Sequence, residues 1–324
     1  MRAVAIESLG DAEQLHLTDM PQPVPRENEV RVRLDFAAVN PVDYKLRSGE
    51  VSYFDLKFPF ILGFDGAGEI DEVGTGVDKF SPGDRVVLMS NQLFGKAGTY
   101  AESVVSSARW TVKLPYHVST REAATLPTAG MAAWEAVIEA GKASEGMNVL
   151  VNGGAGGVGS FAIQLAKMAG AKVAATCSRE NFDYVLSLGA ELAIDYREMQ
   201  VARDVRNWSP EGVCLMIDTI GNGSLPEPVG IVRPRGMVSA IGVIAEDFQP
   251  EAVSRATEAG ISIVAAQTHP DRWQHQLSAL VEAIAAGSIR SPETYAFDLG
   301  ETAHAHCRIE AGHVRGKLLL NVRN

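Results

Sequence analysis

Residues 149–160 read Val-Leu-Val-Asn-Gly-Gly-Ala-Gly-Gly-Val-Gly-Ser, an apolar strand running into a glycine-rich turn. From Gly154 the spacing is Gly154-x-Gly156-x-x-Gly159, with Ala155, Gly157 and Val158 filling the gaps and a helical pattern continuing to Met168. Glycines at this spacing bring backbone N–H groups and a helix N-terminus to one point, where a pyrophosphate can sit. A glycine cluster alone marks only a turn. Strand, turn and helix in this order point to a dinucleotide, against the plainer reading of a tight βα turn without a ligand. The next strand ends in Cys177-Ser178-Arg179, with no acid before Glu180. An Asp or Glu there would accept from the 2′-hydroxyl of NAD. Ser178 and Arg179 instead offer a hydroxyl and a charged fork suited to a 2′-phosphate, so the cofactor expected is NADPH. The alternative for Arg179 is a solvent-facing loop arginine.

One other cluster carries metal-binding side chains, His304-Ala305-His306-Cys307, with His313 shortly after. Ligands at i and i+2 diverge on a helix, so this stretch reads as a solvated helix and no metal is expected. Cys177, Cys214 and Cys307 are odd in number and far apart, which makes no disulfide framework and fits a reducing cytoplasm. Nothing around Cys177 marks an activated thiolate.

The elements that must position these groups fall into two textures. The first ~120 residues alternate short apolar strands such as Arg31–Leu34 and Arg85–Met89 with glycine and proline turns, the pattern of a compact barrel-like β domain. Ser119-x-x-Glu122 then forms a capping box, and a helix is expected over Ala129–Ala140. From Asn148 onward strands and helices alternate, which predicts a parallel sheet covered on both faces. Two later strands end at Asp218-Thr219-Ile220-Gly221 and Ile241-Gly242-Val243, and carboxyl ends of strands face the ligand crevice in such sheets. Thr219, Gly221, Ile241 and Gly242 are therefore expected to line the cofactor, mostly through backbone groups. The closing strand, Lys317–Val322, is expected to return to the first domain. The fold class is α/β, with residues 1–122 and 267–324 in one domain and 123–266 in a doubly wound one.

A total of 324 residues is comfortable for two cores. With 29 Lys plus Arg against 40 Asp plus Glu, the net charge of −11 argues against sequence-independent nucleic-acid binding. No apolar run of membrane-spanning length is present, and Glu7 interrupts the start before a signal-like stretch develops, so a cytoplasmic protein is expected.

Six separated segments resemble one family: Asn40-Pro41-Val42-Asp43-Tyr44-Lys45-Leu46-Arg47-Ser48-Gly49, Gly63–Gly68, Pro82–Val86, Ala155–Gly159, Leu188–Glu198 and Gly312-His313-x-Arg315-Gly316-Lys317. Nearly the whole chain, in order, is similar to quinone oxidoreductase-like members of the medium-chain dehydrogenase/reductase superfamily. The resemblance implies a GroES-like catalytic domain, a Rossmann domain, a homodimer, and an active site in the cleft between the domains. Zinc-dependent members place a cysteine about where Asn40 stands and a histidine where Phe64 stands. Neither ligand type is present, and the four-cysteine lobe of structural zinc is missing as well.

Hydride transfer without a metal needs an acceptor that is already electrophilic, a quinone or an α,β-unsaturated carbonyl such as an alkenal or enone. The resemblance implies Asn40 at the nicotinamide ribose, Tyr196 near the 2′-phosphate, and Lys317 among the cofactor-binding residues. It places Lys45 where it could bind the ribose hydroxyls or the substrate oxygen, or simply face solvent. Relatives contact the nicotinamide near Thr128, where a helix cap is the equal alternative. Val51 occupies the position of the relatives' proton-donating tyrosine, leaving Tyr53 as a pocket residue and water as a possible donor. Two other readings stand beside this one: a zinc-type alcohol dehydrogenase, and a non-catalytic NADPH-binding protein.

Overall fold

The computed structural model describes the chain except Tyr53, Met199, residues 222–227, residues 242–249 and Asn324. It divides into two compact units, Met1–Ala129 with Pro270–Asn324, and Gly130–His269. Along the first stretch run β1 (Arg2–Ile6), β2 (His16–Asp19), β3 (Glu29–Val39), α1 (Pro41–Ser48), β4 (Phe60–Ile61), β5 (Asp65–Val73), β6 (Arg85–Met89), β7 (Ser103–Ser107), β8 (Thr111–Lys113) and α2 (Thr120–Ala123). The second unit follows with α3 (Met131–Trp134), β9 (Asn148–Asn152), α4 (Gly157–Met168), β10 (Lys172–Cys177), α5 (Phe182–Ser187), β11 (Leu192–Asp195), α6 (Val201–Trp208), β12 (Val213–Asp218), β13 (Val232–Ile241), α7 (Pro250–Glu258) and β14 (Ser262–Ala266). The chain then re-enters the first unit with α8 (Pro270–Ala285), β15 (Thr294–Asp298), α9 (Thr302–Glu310) and β16 (Lys317–Asn321).

The first unit holds a small sheet of order β2-β1-β4 and a larger one of order β15-β16-β3-β5-β6-β8, with β7 also paired to β3. Period-2 patterning explains β3: Val30, Val32 and Leu34 are fully buried. Between them Arg31 and Arg33 point away and pair with Asp71 at 2.8 Å and Glu69 at 3.2 Å. The closing strand does return here. β16 pairs antiparallel with β3 in the register Leu318 opposite Val39, which brings Lys317 beside Asn40.

The second unit is a six-stranded parallel sheet of order β11-β10-β9-β12-β13-β14, the doubly wound pattern running outward in both directions from its first strand. Val149, Leu150 and Val151 are all fully buried, as expected for a strand covered on both faces. β13 starts at Val232, and its register with β12 shifts between Val213 and Leu215. The capping box at Ser119 forms as read, with the Ser119 hydroxyl accepting from the Glu122 N–H at 3.1 Å. The helix expected over Ala129–Ala140 is instead a short α-helical turn, α3, flanked by wider i-to-i+5 winding over Leu126–Gly130 and Glu135–Glu139. Such widened turns free individual N–H groups and cluster at functional sites.

Candidate active site

In the second unit the glycines of the turn do not all answer the same demand. A Cβ on Gly159 would lie 2.1 Å from the Gly153 carbonyl oxygen, so α4 can pack against the turn only if that residue is bare. A Cβ on Gly154 would stand 2.8 Å from the Ala175 Cβ, again a packing demand. Gly156 is different. Its φ of −74° suits any residue, and a Cβ there would meet nothing nearer than the Gly153 carbonyl oxygen at 3.6 Å. The bare backbone at Gly156 therefore answers no internal need, and it caps the N-terminus of α4, whose first N–H groups have no partner inside the helix.

The carboxyl ends of β9, β10 and β12 are knitted by a buried polar set that the sequence does not announce. Thr176 Oγ1 donates to Asn152 Oδ1 at 2.6 Å, and Asn152 Nδ2 donates to Asp218 Oδ1 at 2.8 Å. Thr219 Oγ1 donates to the Asn152 carbonyl at 2.7 Å, and the Gly221 N–H donates to Asp218 Oδ1 at 3.3 Å. Thr219 and Gly221 thus shape the turn after β12. Ile241 ends β13, while Gly242 lies outside the described residues, as does Tyr53.

Beyond β10, Ser178 is buried and its Oγ accepts from Asn181 Nδ2 at 2.9 Å. The Arg179 side chain is 77% exposed and reaches Glu198 at 3.4 Å. Tyr196 lies under the Arg197 guanidinium, 5.6 Å from its ring centroid, and Arg197 reaches Glu180 at 3.4 Å. Two arginines, one tyrosine and one serine hydroxyl are gathered there. Arg197 directly follows Tyr196, and its motif alone does not distinguish it from a solvated arginine. Burial, with Asp195 and Glu180 nearby, pushes the Cys177 thiol up to about 12, so it is an inert core cysteine.

The first unit holds the other half of the predicted residues. Asn40 caps α1, with Pro41 at its first position, and its backbone N–H donates to Asp43 Oδ2 at 2.8 Å. Its side chain turns away from the helix. Asn40 Nδ2 donates to Asp65 Oδ2 at 2.9 Å, and the Lys317 ammonium donates to Asn40 Oδ1. Lys317 is itself buried, with Asp65 Oδ2 at 3.8 Å, so its donors serve Asn40 and its neighbours and are not displayed to a ligand. Thr128 is not a helix cap. In the widened turn its N–H and hydroxyl both donate to Asp65 Oδ1, at 3.0 and 2.5 Å. Lys45 forms an ion pair with Glu50 at 2.9 Å. Burial raises the Asp65 carboxyl, and the Lys317 cation with hydrogen bonds from Thr128 and Asn40 opposes it; burial likewise lowers Lys317.

Behind α1 a second chain of buried groups runs to the surface. Glu310 Oε1 accepts from Arg47 Nη1 at 2.8 Å, and Arg47 also donates to His306 Nδ1 at 3.1 Å. Arginine cannot accept, so the imidazole is neutral with its proton on Nε2, which donates to the Tyr100 hydroxyl at 3.1 Å. Tyr100 in turn donates to Asp43 Oδ2 at 2.9 Å. Burial, then the Arg47 charge, lowers His306 to about 3, and burial raises Asp43 to about 7. This corrects the reading of residues 304–307 as a plain solvated helix. In α9 His304 and Cys307 are exposed, but His306 is fully buried against α1.

The donor set does not fit a catalytic zinc. Where the zinc branch has cysteine and histidine stand an amide held by an ammonium and a buried phenylalanine, leaving Asp65 as a single carboxylate. Among the described residues no three His, Cys, Asp or Glu side chains gather as metal ligands, and no helix is long and apolar enough to cross a membrane.

Residues 26–116 match the family described as alcohol dehydrogenase GroES-like domain, and residues 157–285 the one described as zinc-binding dehydrogenase. A chloroplastic quinone-oxidoreductase of Triphysaria versicolor is 33% identical over 99% of this chain and 98% of its own length. The chloroplast envelope quinone oxidoreductase homolog of Arabidopsis thaliana is 42% identical over 212 residues, which span 64% of this chain and 60% of that protein. Among solved structures, the quinone oxidoreductase from Coxiella burnetii superposes with a TM-score of 0.88 at 30% identity, over 100% of this chain and 99% of its own. Fold and site thus define an oxidoreductase of the nicotinamide-dinucleotide-dependent kind. The chain belongs to the quinone oxidoreductase-like family of the medium-chain dehydrogenase/reductase superfamily.

Proposed function

We propose that this chain is a metal-independent reductase that moves a hydride from NADPH to a quinone or to the activated double bond of an alkenal or enone. The observation that carries this reading is the Lys317 ammonium bonded to Asn40 beside Asp65, a protein cation where the zinc branch assembles its ligands. Without a Lewis acid to polarise an unactivated carbonyl, the acceptor must be electrophilic on its own. NADPH, when bound, supplies the hydride.

The chain's own residues hold the cofactor and place it. The N–H groups of Gly157, Val158 and Gly159, at the start of α4, cradle the pyrophosphate, while the Gly156 N–H donates to the Gly153 carbonyl and the space over Gly156 gives the phosphates room. Ser178, Arg179 and Tyr196 take the 2′-phosphate, joined by Arg197. Thr219, Gly221 and Ile241 line the nicotinamide half, Asn40 binds its ribose, and Thr128 sits beside the ring. Lys45 exchanges Glu50 for the ribose or the substrate oxygen. The proton that completes reduction comes from water. The working form is a homodimer, which sedimentation velocity tests directly.

Absorbance at 340 nm reports turnover with NADPH or NADH against 1,4-quinones, 2-alkenals and enones. NADPH oxidation should exceed NADH oxidation at least several-fold and should persist after dialysis against a chelator. Equal rates with NADH remove the cofactor assignment, and loss of activity to the chelator removes the metal-independent mechanism.

A further inference from the structure

Both residues assigned to the nicotinamide end, Asn40 and Thr128, are tied to one carboxylate. Asp65 is fully buried at the start of β5, held between β3 and β6 by pairing with Ala38 and Met89. Its Oδ1 takes the Thr128 N–H and hydroxyl at 3.0 and 2.5 Å, and its Oδ2 takes Asn40 Nδ2 at 2.9 Å. The other end of the Asn40 amide meets the Lys317 ammonium. A flipped amide would press NH2 on the ammonium and oxygen on the carboxylate, so the two charges fix its orientation. A buried ion pair is seldom more stabilising than apolar side chains of the same volume. Stability alone therefore gives little reason for this arrangement at the meeting of three strands.

We infer that Asp65 and Lys317 are positioning residues: the carboxylate sets the placement of Asn40 and Thr128 together, and the ammonium holds the Asn40 amide in the orientation that meets it. The inference rests on the proposed reading that Asn40 and Thr128 serve the nicotinamide end. The charged and titratable groups facing Asp65 are Lys317 from β16, Asp43 from α1 and Tyr100. Of these Lys317 is the cation in contact, so its removal lets burial drive Asp65 toward its protonated form. A protonated Asp65 must donate with one oxygen, and there it opposes the N–H and O–H groups that now converge on it.

The test compares the full-length wild-type chain with Lys317→Met, Asp65→Asn and Thr128→Val. Quinone-dependent NADPH oxidation is followed across pH, with NADPH dissociation constants and melting temperatures taken alongside. A misplaced reacting group costs up to about 100-fold, so kcat should fall roughly 10- to 100-fold in Asp65→Asn while the NADPH dissociation constant moves far less. Lys317→Met should gain an acid limb, losing activity as pH falls through the raised Asp65 value and recovering it at alkaline pH. A merely structural lysine would not produce that limb. Thr128→Val is isosteric and keeps the backbone donor, so it should fold normally and lose kcat several-fold. Full wild-type kcat in Thr128→Val, or a Lys317→Met pH profile parallel to wild type, overturns the inference while leaving the proposed function standing. Absence of wild-type turnover with every acceptor overturns both.

Discussion

The glycine turn yields a pair of substitutions that should come apart cleanly. In Gly159→Ala the added methyl would stand 2.1 Å from the Gly153 carbonyl oxygen and 2.8 Å from the Gly154 Cα, both backbone atoms that cannot swing aside. α4 must shift away from the turn, and overpacking of this kind costs roughly 1–3 kcal/mol. At about 2–4 °C per kcal/mol for a domain of this size, the melting temperature should drop by roughly 2–12 °C. In Gly156→Ala the methyl meets only one atom, at 3.6 Å, on an ordinary backbone conformation, so the melting temperature should stay within a few degrees. Its methyl projects into the space assigned to the pyrophosphate. Loss of one hydrogen bond to a charged group costs about 1.5–3 kcal/mol, which is a roughly 10- to 100-fold weaker NADPH affinity. Calorimetric titration with NADPH and thermal melts of both variants read the two effects separately. If Gly156→Ala binds NADPH as tightly as wild type, the assignment of that space to the cofactor is wrong.

Two further outcomes follow from the same geometry. Replacing Ser178 with Ala and Arg179 with Met should raise the NADPH KM at least tenfold and leave that for NADH nearly unchanged, as steady-state kinetics with both cofactors will show; parallel losses would place these residues away from the 2′-phosphate. His306 and Asp43 pull the pH dependence of stability in opposite directions. His306, lowered to about 3 from 6.5, contributes stability that is lost as pH falls between those values, because the unfolded chain takes up the proton. Asp43, raised to about 7 from 3.8, keeps its proton in the folded state, and that contribution is lost as pH rises across the same region. His306→Gln should therefore leave only the second slope, with melting temperature falling from pH 4 to 7; a variant whose melting temperature still rises over that range would contradict the neutral, buried imidazole.

What could be read in advance was local. The glycine turn, the Ser119 capping box and the alternation in β3 each depend on residues within a dozen positions, so strand, turn and helix were legible from their own spacing. The site's polar interior was not. Asn40 finds Lys317 across a separation of 277 residues, Arg47 finds His306 across 259, and Thr128 finds Asp65 across 63. Those pairings follow from strand register and helix docking, which spacing along the chain does not encode. A weak signal was present in the residue types. Asp65 stands directly before the Gly66-Ala67-Gly68 run of β5, and Lys317 stands directly before three leucines, both places where a charge must be buried with a partner. Lys45 drew attention through its motif, yet Lys317 is the lysine bonded to Asn40.

That lysine also bears on how this site differs from a zinc site. Restoring ligands alone, by Asn40→Cys with Phe64→His, would supply three donors together with Asp65 but would leave the Lys317 ammonium against them. Like unit charges about 4 Å apart repel by roughly 4 kcal/mol at an effective dielectric of 20, and a dication doubles that. At 1.4 kcal/mol per tenfold, about 8 kcal/mol amounts to five or more orders of magnitude in affinity unless the lysine gives up its proton. The double variant should therefore bind no zinc after dialysis at neutral pH. Adding Lys317→Met should permit binding, read as metal per chain by atomic emission. Stoichiometric zinc in the double variant would mean that the ammonium does not defend the site, and the argument from its charge would fail.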